Sequence, residues 1–145
     1  MKDVLTVIMA GGRGRRLMPL TGDRSKPAVP FGGIYRLIDI PLSNCINSQL
    51  YKILIFPQYK SQSLVDHLEE GWNIFSGDLG HYLRVVAPQQ RTGEQWYRGT
   101  ADCVRQNLYL IEHEMPRHVL ILSGTMCIRW TMPRFGIITK KSRPT

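Results

Sequence analysis

No stretch of this 145-residue chain approaches the ~20 consecutive apolar residues that a membrane-spanning helix needs, so no membrane partner is expected. The apolar opening Val4–Ala10 is also too short for a convincing signal peptide and runs at once into glycine. It reads as a buried strand, and the expected location is cytoplasmic. Cysteine is scarce: Cys45, Cys103 and Cys127 are odd in number and lack C-x-x-C spacing. They predict reduced, mostly buried thiols and no disulfide framework or zinc site. The four histidines, His67, His81, His113 and His118, have no ligand spacing, so no metal or catalytic role is expected of them. Internal repeats and low-complexity segments are missing as well. What is present suffices for one domain with a real core, since 43% of the residues are hydrophobic.

The net charge of +8 suggests nucleic acid until it is divided along the chain. Residues 1–124 hold 14 Lys/Arg against 11 Asp/Glu, giving +3; residues 125–145 hold five Lys/Arg and no acid, giving +5. The body is thus only mildly basic, as a protein binding phosphorylated ligands would be. The basic tail lacks an amphipathic period and interleaved aromatics beyond Trp130 and Phe135, and reads as disordered rather than as a nucleic-acid arm.

Three apolar runs predict strands: Val4–Ala10, Tyr51–Pro57 and His118–Gly124. Helices are predicted at about Ser61–Trp72, with Leu64, Val65 and Leu68 on one face, and about Thr100–Glu112, with Ala101, Val104, Leu108 and Ile111 on one face. A further short helix is expected around Ile38–Ser48. Alternating strands and helices point to an α/β fold with an open, mostly parallel, Rossmann-like sheet. In such sheets ligands bind beyond the carboxyl ends of the strands, and a glycine loop follows the first one.

That loop, Ala10-Gly11-Gly12-Arg13-Gly14-Arg15-Arg16-Leu17, can bring backbone N–H groups close to an anion, and its arginines add planar donors for phosphoryl oxygens. It is neither a Walker loop nor the dinucleotide fingerprint. Arg24-Ser25-Lys26-Pro27 then sets a lysine on backbone stiffened by proline, a plausible point charge for departing pyrophosphate. Together these segments resemble the signature of sugar-1-phosphate nucleotidyltransferases, G-G-x-G-x-R-L followed by K-P. The wording of Pro27–Gly33, Tyr35–Asp39, Leu42–Ser48, Gln58–Ser61, Pro88–Arg91 and Trp96–Asp102 is similar to the glucose-1-phosphate adenylyltransferase (ADP-glucose pyrophosphorylase) family.

The resemblance covers residues 1–124 and implies a nucleotide-diphospho-sugar transferase fold, here truncated. Its implied substrates are ATP and glucose 1-phosphate, its cofactor Mg²⁺, its pathway glycogen synthesis, and its assembly a homotetramer. It implies that Gly11, Gly12 and Gly14 cradle the ATP phosphates. Arg16 would stabilise the pyrophosphate charge, with Arg24 and Lys26 at the same centre. Gln89, Gly99 and Thr100 would contact base and ribose, and Tyr97 would border the sugar phosphate. Gln58 and Trp96 match positions that pass an allosteric signal. Asp39 and Asp102 are read as capping or hydrogen-bonding residues, because such a transfer relies on positioning and charge stabilisation.

The likeness stops at Leu122-Ser123-Gly124-Thr125, where the family has L-S-G-D-H and the aspartate binds Mg²⁺. Threonine cannot supply a carboxylate's charge to a hard cation. One choice of codons for Thr125–Pro133, preceded by a single G and read in the shifted frame, encodes D-H-V-Y-P-L-D-Y-A, close to the family's continuation. Residues 125–145 are therefore expected to be an unrelated frameshift tail after a catalytic-domain segment, 1–124, which leaves the chain without turnover. A non-catalytic nucleotide-binding or subunit-interaction module, and a transferase of other base or sugar specificity, are the alternative readings.

Overall fold

The computed structural model describes residues 3–12, 14–88 and 97–130. Four strands form one parallel sheet in the order β5-β4-β1-β6: β1 is Val4–Ala10, β4 Lys52–Pro57, β5 Tyr82–Val85 and β6 His118–Ser123. A small antiparallel hairpin, β2 (Pro30–Phe31) with β3 (Tyr35–Arg36), stands apart from it. The α/β class and the open parallel sheet are as the alternating pattern predicts.

Because successive strand side chains face opposite ways, the sheet feeds two cores. Val4, Ile8, Ile53 and Ile55 pack with Leu42 and Cys45 of α1 (Asp39–Asn47) and with Leu64 and Leu68 of α2 (Gln62–Gly71). Leu5, Val7, Leu54 and Phe56 pack with Cys103 of α3 (Thr100–Gln106) and Ile111 of α4 (Leu108–His113). The two inner strands are the most enclosed: Leu5, Val7, Ile8 and Ala10 of β1 and Ile53, Leu54, Ile55 and Phe56 of β4 have no exposed surface.

The expected helix over Thr100–Glu112 is broken at Asn107. That buried side chain donates to the Cys103 carbonyl at 2.8 Å and to the Tyr97 hydroxyl at 2.9 Å. A side-chain bond to the carbonyl four residues back competes with the backbone ladder and separates α3 from α4. Strand β5 and the hairpin were not expected, being too short to leave a periodic signature. The beginning of the expected disordered tail also differs. Residues 125–130 form no helix or strand, yet Trp130 is buried in the α1/α2 core with Met126 packed against it. Asn44 of α1 holds this segment by donating to the Ile128 carbonyl at 2.8 Å and accepting from the Trp130 N–H at 3.4 Å. Residues 131–145 lie outside the described residues.

Candidate nucleotide-phosphate site

In the order β5-β4-β1-β6, chain direction across the sheet reverses between β1 and β6, the switch point at which open α/β sheets bind ligands. Three segments converge there. The glycine loop leaves β1 at Gly11, and residue 14 begins the short 3₁₀ turn Arg15–Leu17. A second such turn is Lys26–Ala28, and β6 ends at Ser123, just before Gly124.

Their closeness explains two glycines. Gly14 has φ +59°, and a β-carbon on it would stand 2.8 Å from Thr21 Cγ2 and 3.2 Å from Lys26 Cβ. Thr21 Oγ1 also donates to the Gly14 carbonyl at 2.9 Å, so the loop is pinned against the lysine segment. Gly124 donates its N–H to the Met9 carbonyl at 2.9 Å. A β-carbon there would lie 3.2 Å from the Met9 carbonyl oxygen and 3.3 Å from Pro27 Cγ.

Of the residues expected to meet phosphate, Gly11, Gly12 and Arg16 are exposed, while Gly14, Arg24 and Lys26 are half-buried. Exposed backbone at Gly12, whose φ is +102° with nothing near its missing side chain, leaves room for an anion to approach. Arg24 sits in a stretch held by Lys60, a residue to which the sequence reading gave no role. The Lys60 carbonyl accepts from Ser25 N–H at 3.2 Å, and its ammonium donates to the Gly22 carbonyl. Lys60 adopts φ +41°, a left-handed geometry no sequence pattern announced.

Gln58 joins the glycine loop to the next one. Its Oε1 lies 3.0 Å from where a Gly11 β-carbon would stand, and its Nε2 donates to the Tyr97 carbonyl at 3.1 Å. Gly99 and Thr100 open α3 and are exposed. Tyr97 is buried, its hydroxyl accepting from Asn107; burial raises its pKa, against the opposing effect of that bond. Asp102 bonds as expected, accepting from the Arg98 N–H at 3.0 Å and from Gln106 at 2.8 Å. The Arg98 bond is the main cause of its lowered pKa. Gln89 and Trp96 lie outside the described residues.

Magnesium does not fit the described residues. Among the described residues no three His, Cys, Asp or Glu come together as a metal group. At the end of β6, Thr125 brings a hydroxyl, 3.3 Å from Ser123 Oγ. Asp39 is committed to protein donors, and Asp23 is 98% exposed, 3.9 Å from Lys60 Nζ.

A family model described as nucleotidyl transferase matches residues 5–140. The chain belongs to that family. Among its relatives, a glucose-1-phosphate adenylyltransferase 2 of Vibrio vulnificus is 57% identical over 124 residues, 86% of this chain and 31% of the relative. A glucose-1-phosphate adenylyltransferase of Rhodopirellula baltica is 56% identical over 125 residues, 86% of this chain and 28% of the relative. The chain therefore spans about a third of the length of the curated relatives it matches. A solved Bacillus anthracis structure, described as a glucose-1-phosphate thymidylyltransferase, aligns with TM-score 0.60 at 21% identity. It covers 83% of this chain and 44% of its own, a likeness of fold. The family model runs past residue 124, where the motif likeness ends.

Proposed function

We propose that residues 1–124 are the nucleotide-binding part of a glucose-1-phosphate adenylyltransferase, and that the chain by itself binds nucleotide phosphates without turning them over. The observation that carries this reading is the packing of Gly14 against Lys26 at the carboxyl ends of β1 and β6. Exposed loop backbone and the turn that carries the lysine thereby lie side by side at the switch point. In the whole enzyme a phosphate oxygen of glucose 1-phosphate attacks the α-phosphorus of ATP. The new P–O bond gives ADP-glucose as the α–β bridging bond breaks and pyrophosphate leaves. Gly11, Gly12 and Gly14 bind the phosphates. Arg16, Arg24 and Lys26 neutralise charge that builds on the leaving group, a role for fixed cations rather than for a protein base. Gln89, Gly99 and Thr100 take base and ribose, and Tyr97 borders the sugar phosphate.

No step is assigned to Mg²⁺, which the relatives' chemistry calls for and these residues do not hold. Thr125 in the aspartate's place favours a second reading, a non-catalytic nucleotide-binding module. Residues 125–145 are proposed to be foreign to the family sequence, as a shifted reading frame would make them. The chain is proposed to act in the cytoplasm, apart from nucleic acid; no described helix is long and apolar enough to cross a membrane. Homotetramer assembly is proposed for the whole enzyme only.

A chimera tests the assignment: residues 1–124 replace the matching part of the Vibrio vulnificus relative, and nucleotidyl transfer to glucose 1-phosphate is assayed. ADP-glucose formation with ATP preferred over dTTP supports it. A folded chimera that prefers dTTP, or makes no nucleotide sugar, overturns it.

A further inference from the structure

Beneath the phosphate site lies a polar cluster that the proposed chemistry does not use. Asp39, 7% exposed, begins α1 and accepts four contacts from three donor groups. The Arg36 N–H reaches Oδ2 at 2.8 Å, and Trp72 Nε1 reaches Oδ1 at 2.7 Å. His67 Nε2 lies 2.8 Å from Oδ1 and 2.9 Å from Oδ2, which places its proton on that nitrogen, between the two oxygens. The carboxylate thus ties α1 to two side chains from α2 and its end.

From this anchor, residues 36–38 reach across to the lysine turn. The Arg36 guanidinium donates to the Ala28 carbonyl at 3.3 Å and the Ser63 carbonyl at 2.9 Å, and also to Ser63 Oγ. Leu37 N–H donates to the Val29 carbonyl at 3.1 Å, and Ile38 N–H to the Pro27 carbonyl at 3.0 Å. The carbonyls of Pro27, Ala28 and Val29 are therefore all held by residues 36–38, and of these Arg36 is held in turn by Asp39 and by Ser63 of α2. The Lys26 carbonyl closes its own turn by accepting from Val29 N–H at 3.1 Å. Burying such groups costs desolvation that apolar side chains of similar volume avoid. What hydrogen bonds add is direction, which packing alone supplies poorly.

We propose that Asp39, His67 and Arg36 are positioning residues for Lys26: the carboxylate-centred cluster sets the Lys26–Ala28 turn at the height where the lysine meets the glycine loop. This rests on the reading that Lys26 meets phosphate. Displacement of a charged group by about 1 Å is enough to weaken what it stabilises, which is why a rigid support matters.

The test uses the full chain with inorganic pyrophosphate in metal-free buffer, and ¹³C-dimethylated lysine as a ligand-free reporter, the Lys26 resonance being assigned by its loss in Lys26→Arg. His67→Ala is expected to move that resonance and weaken pyrophosphate five- to tenfold. His67→Gln, which keeps an N–H donor for Asp39, is expected to restore both. The proposal is overturned if His67→Ala, folded by circular dichroism, leaves the resonance in place, or if His67→Gln shifts it as far as alanine does. If His67→Ala does not fold, the glutamine variant and Arg36→Gln, expected to move the resonance, decide the matter. Failure of the wild-type chain to bind pyrophosphate, or unchanged binding by Lys26→Ala, instead counts against the proposed function, while the resonance still judges the positioning.

Discussion

Replacing Gly14 with alanine probes the contact on which the phosphate site is built. Two costs follow from the geometry. A residue with a β-carbon held at φ +59° bears about 1–2 kcal/mol of left-handed strain. The added methyl would also stand 2.8 Å from Thr21 Cγ2, on a side chain only 1% exposed and unable to retreat, an overpacking of about 1–3 kcal/mol. Gly14→Ala should therefore destabilise by roughly 2–5 kcal/mol, a large share of the ~5–15 kcal/mol that holds a domain together. Thr21→Ser removes Cγ2 and keeps the oxygen that bonds the Gly14 carbonyl, so Gly14→Ala/Thr21→Ser should regain the largest part of the overpacking. It leaves the left-handed strain of about 1–2 kcal/mol and the closer contacts with Lys26 Cβ at 3.2 Å and Thr21 Cβ at 3.3 Å. Urea denaturation measures both, with an unchanged m-value showing that the shift lies in stability. A Gly14→Ala midpoint equal to wild type, or no relief from the second change, would refute the packing argument.

Trp130→Ala should cost about 3–5 kcal/mol if residues 125–130 complete the α1/α2 core, whereas a detached tail leaves the urea midpoint unmoved. Burial raises the Cys45 and Cys103 thiols from 9.0 to about 12, so a thiol reagent on the native chain should label exposed Cys127 quickly and the other two only after unfolding. Because the unfolded chain loses those two protons near pH 9.0 and the folded chain keeps them, their stabilisation is complete below that pH. It should fall as pH rises towards 12, visible as a declining melting temperature on alkaline titration. Thr125→Asp should make ATP binding stronger with Mg²⁺ than without by calorimetry, a dependence the threonine chain should lack.

The sequence made the sheet's frame legible because β1, β4 and β6 are continuous apolar runs. β1 and β4 are buried along nearly their whole length, whereas β6, at the sheet edge, leaves Val119 and Ile121 exposed. Strand β5 escaped because four residues, Tyr82–Val85, carry too little pattern to separate from a loop. Asn107 escaped for a different reason: it occupies a polar position in a helical repeat, and only the fold shows that its amide turns inward to Tyr97 and Cys103. The phosphate loop and Lys26 were legible as motifs, since glycine and proline announce backbone geometry directly. Their supports were not. Thr21, Lys60 and His67 act through contacts with residues 7, 35 and 28 positions away, which no local pattern records. Trp130 was misjudged because composition marked its surroundings as tail, while one large ring and the paired bonds of Asn44 are enough to dock the segment.

The most direct test of the account is an amide-resolved NMR titration of the chain with ATP, repeated on Lys26→Ala. The account predicts that the largest shifts fall on Gly11, Gly12, Gly14 and the Lys26–Ala28 turn, and that they collapse in the variant. Shifts centred elsewhere, or equal binding by Lys26→Ala, would contradict a phosphate site at the carboxyl ends of β1 and β6.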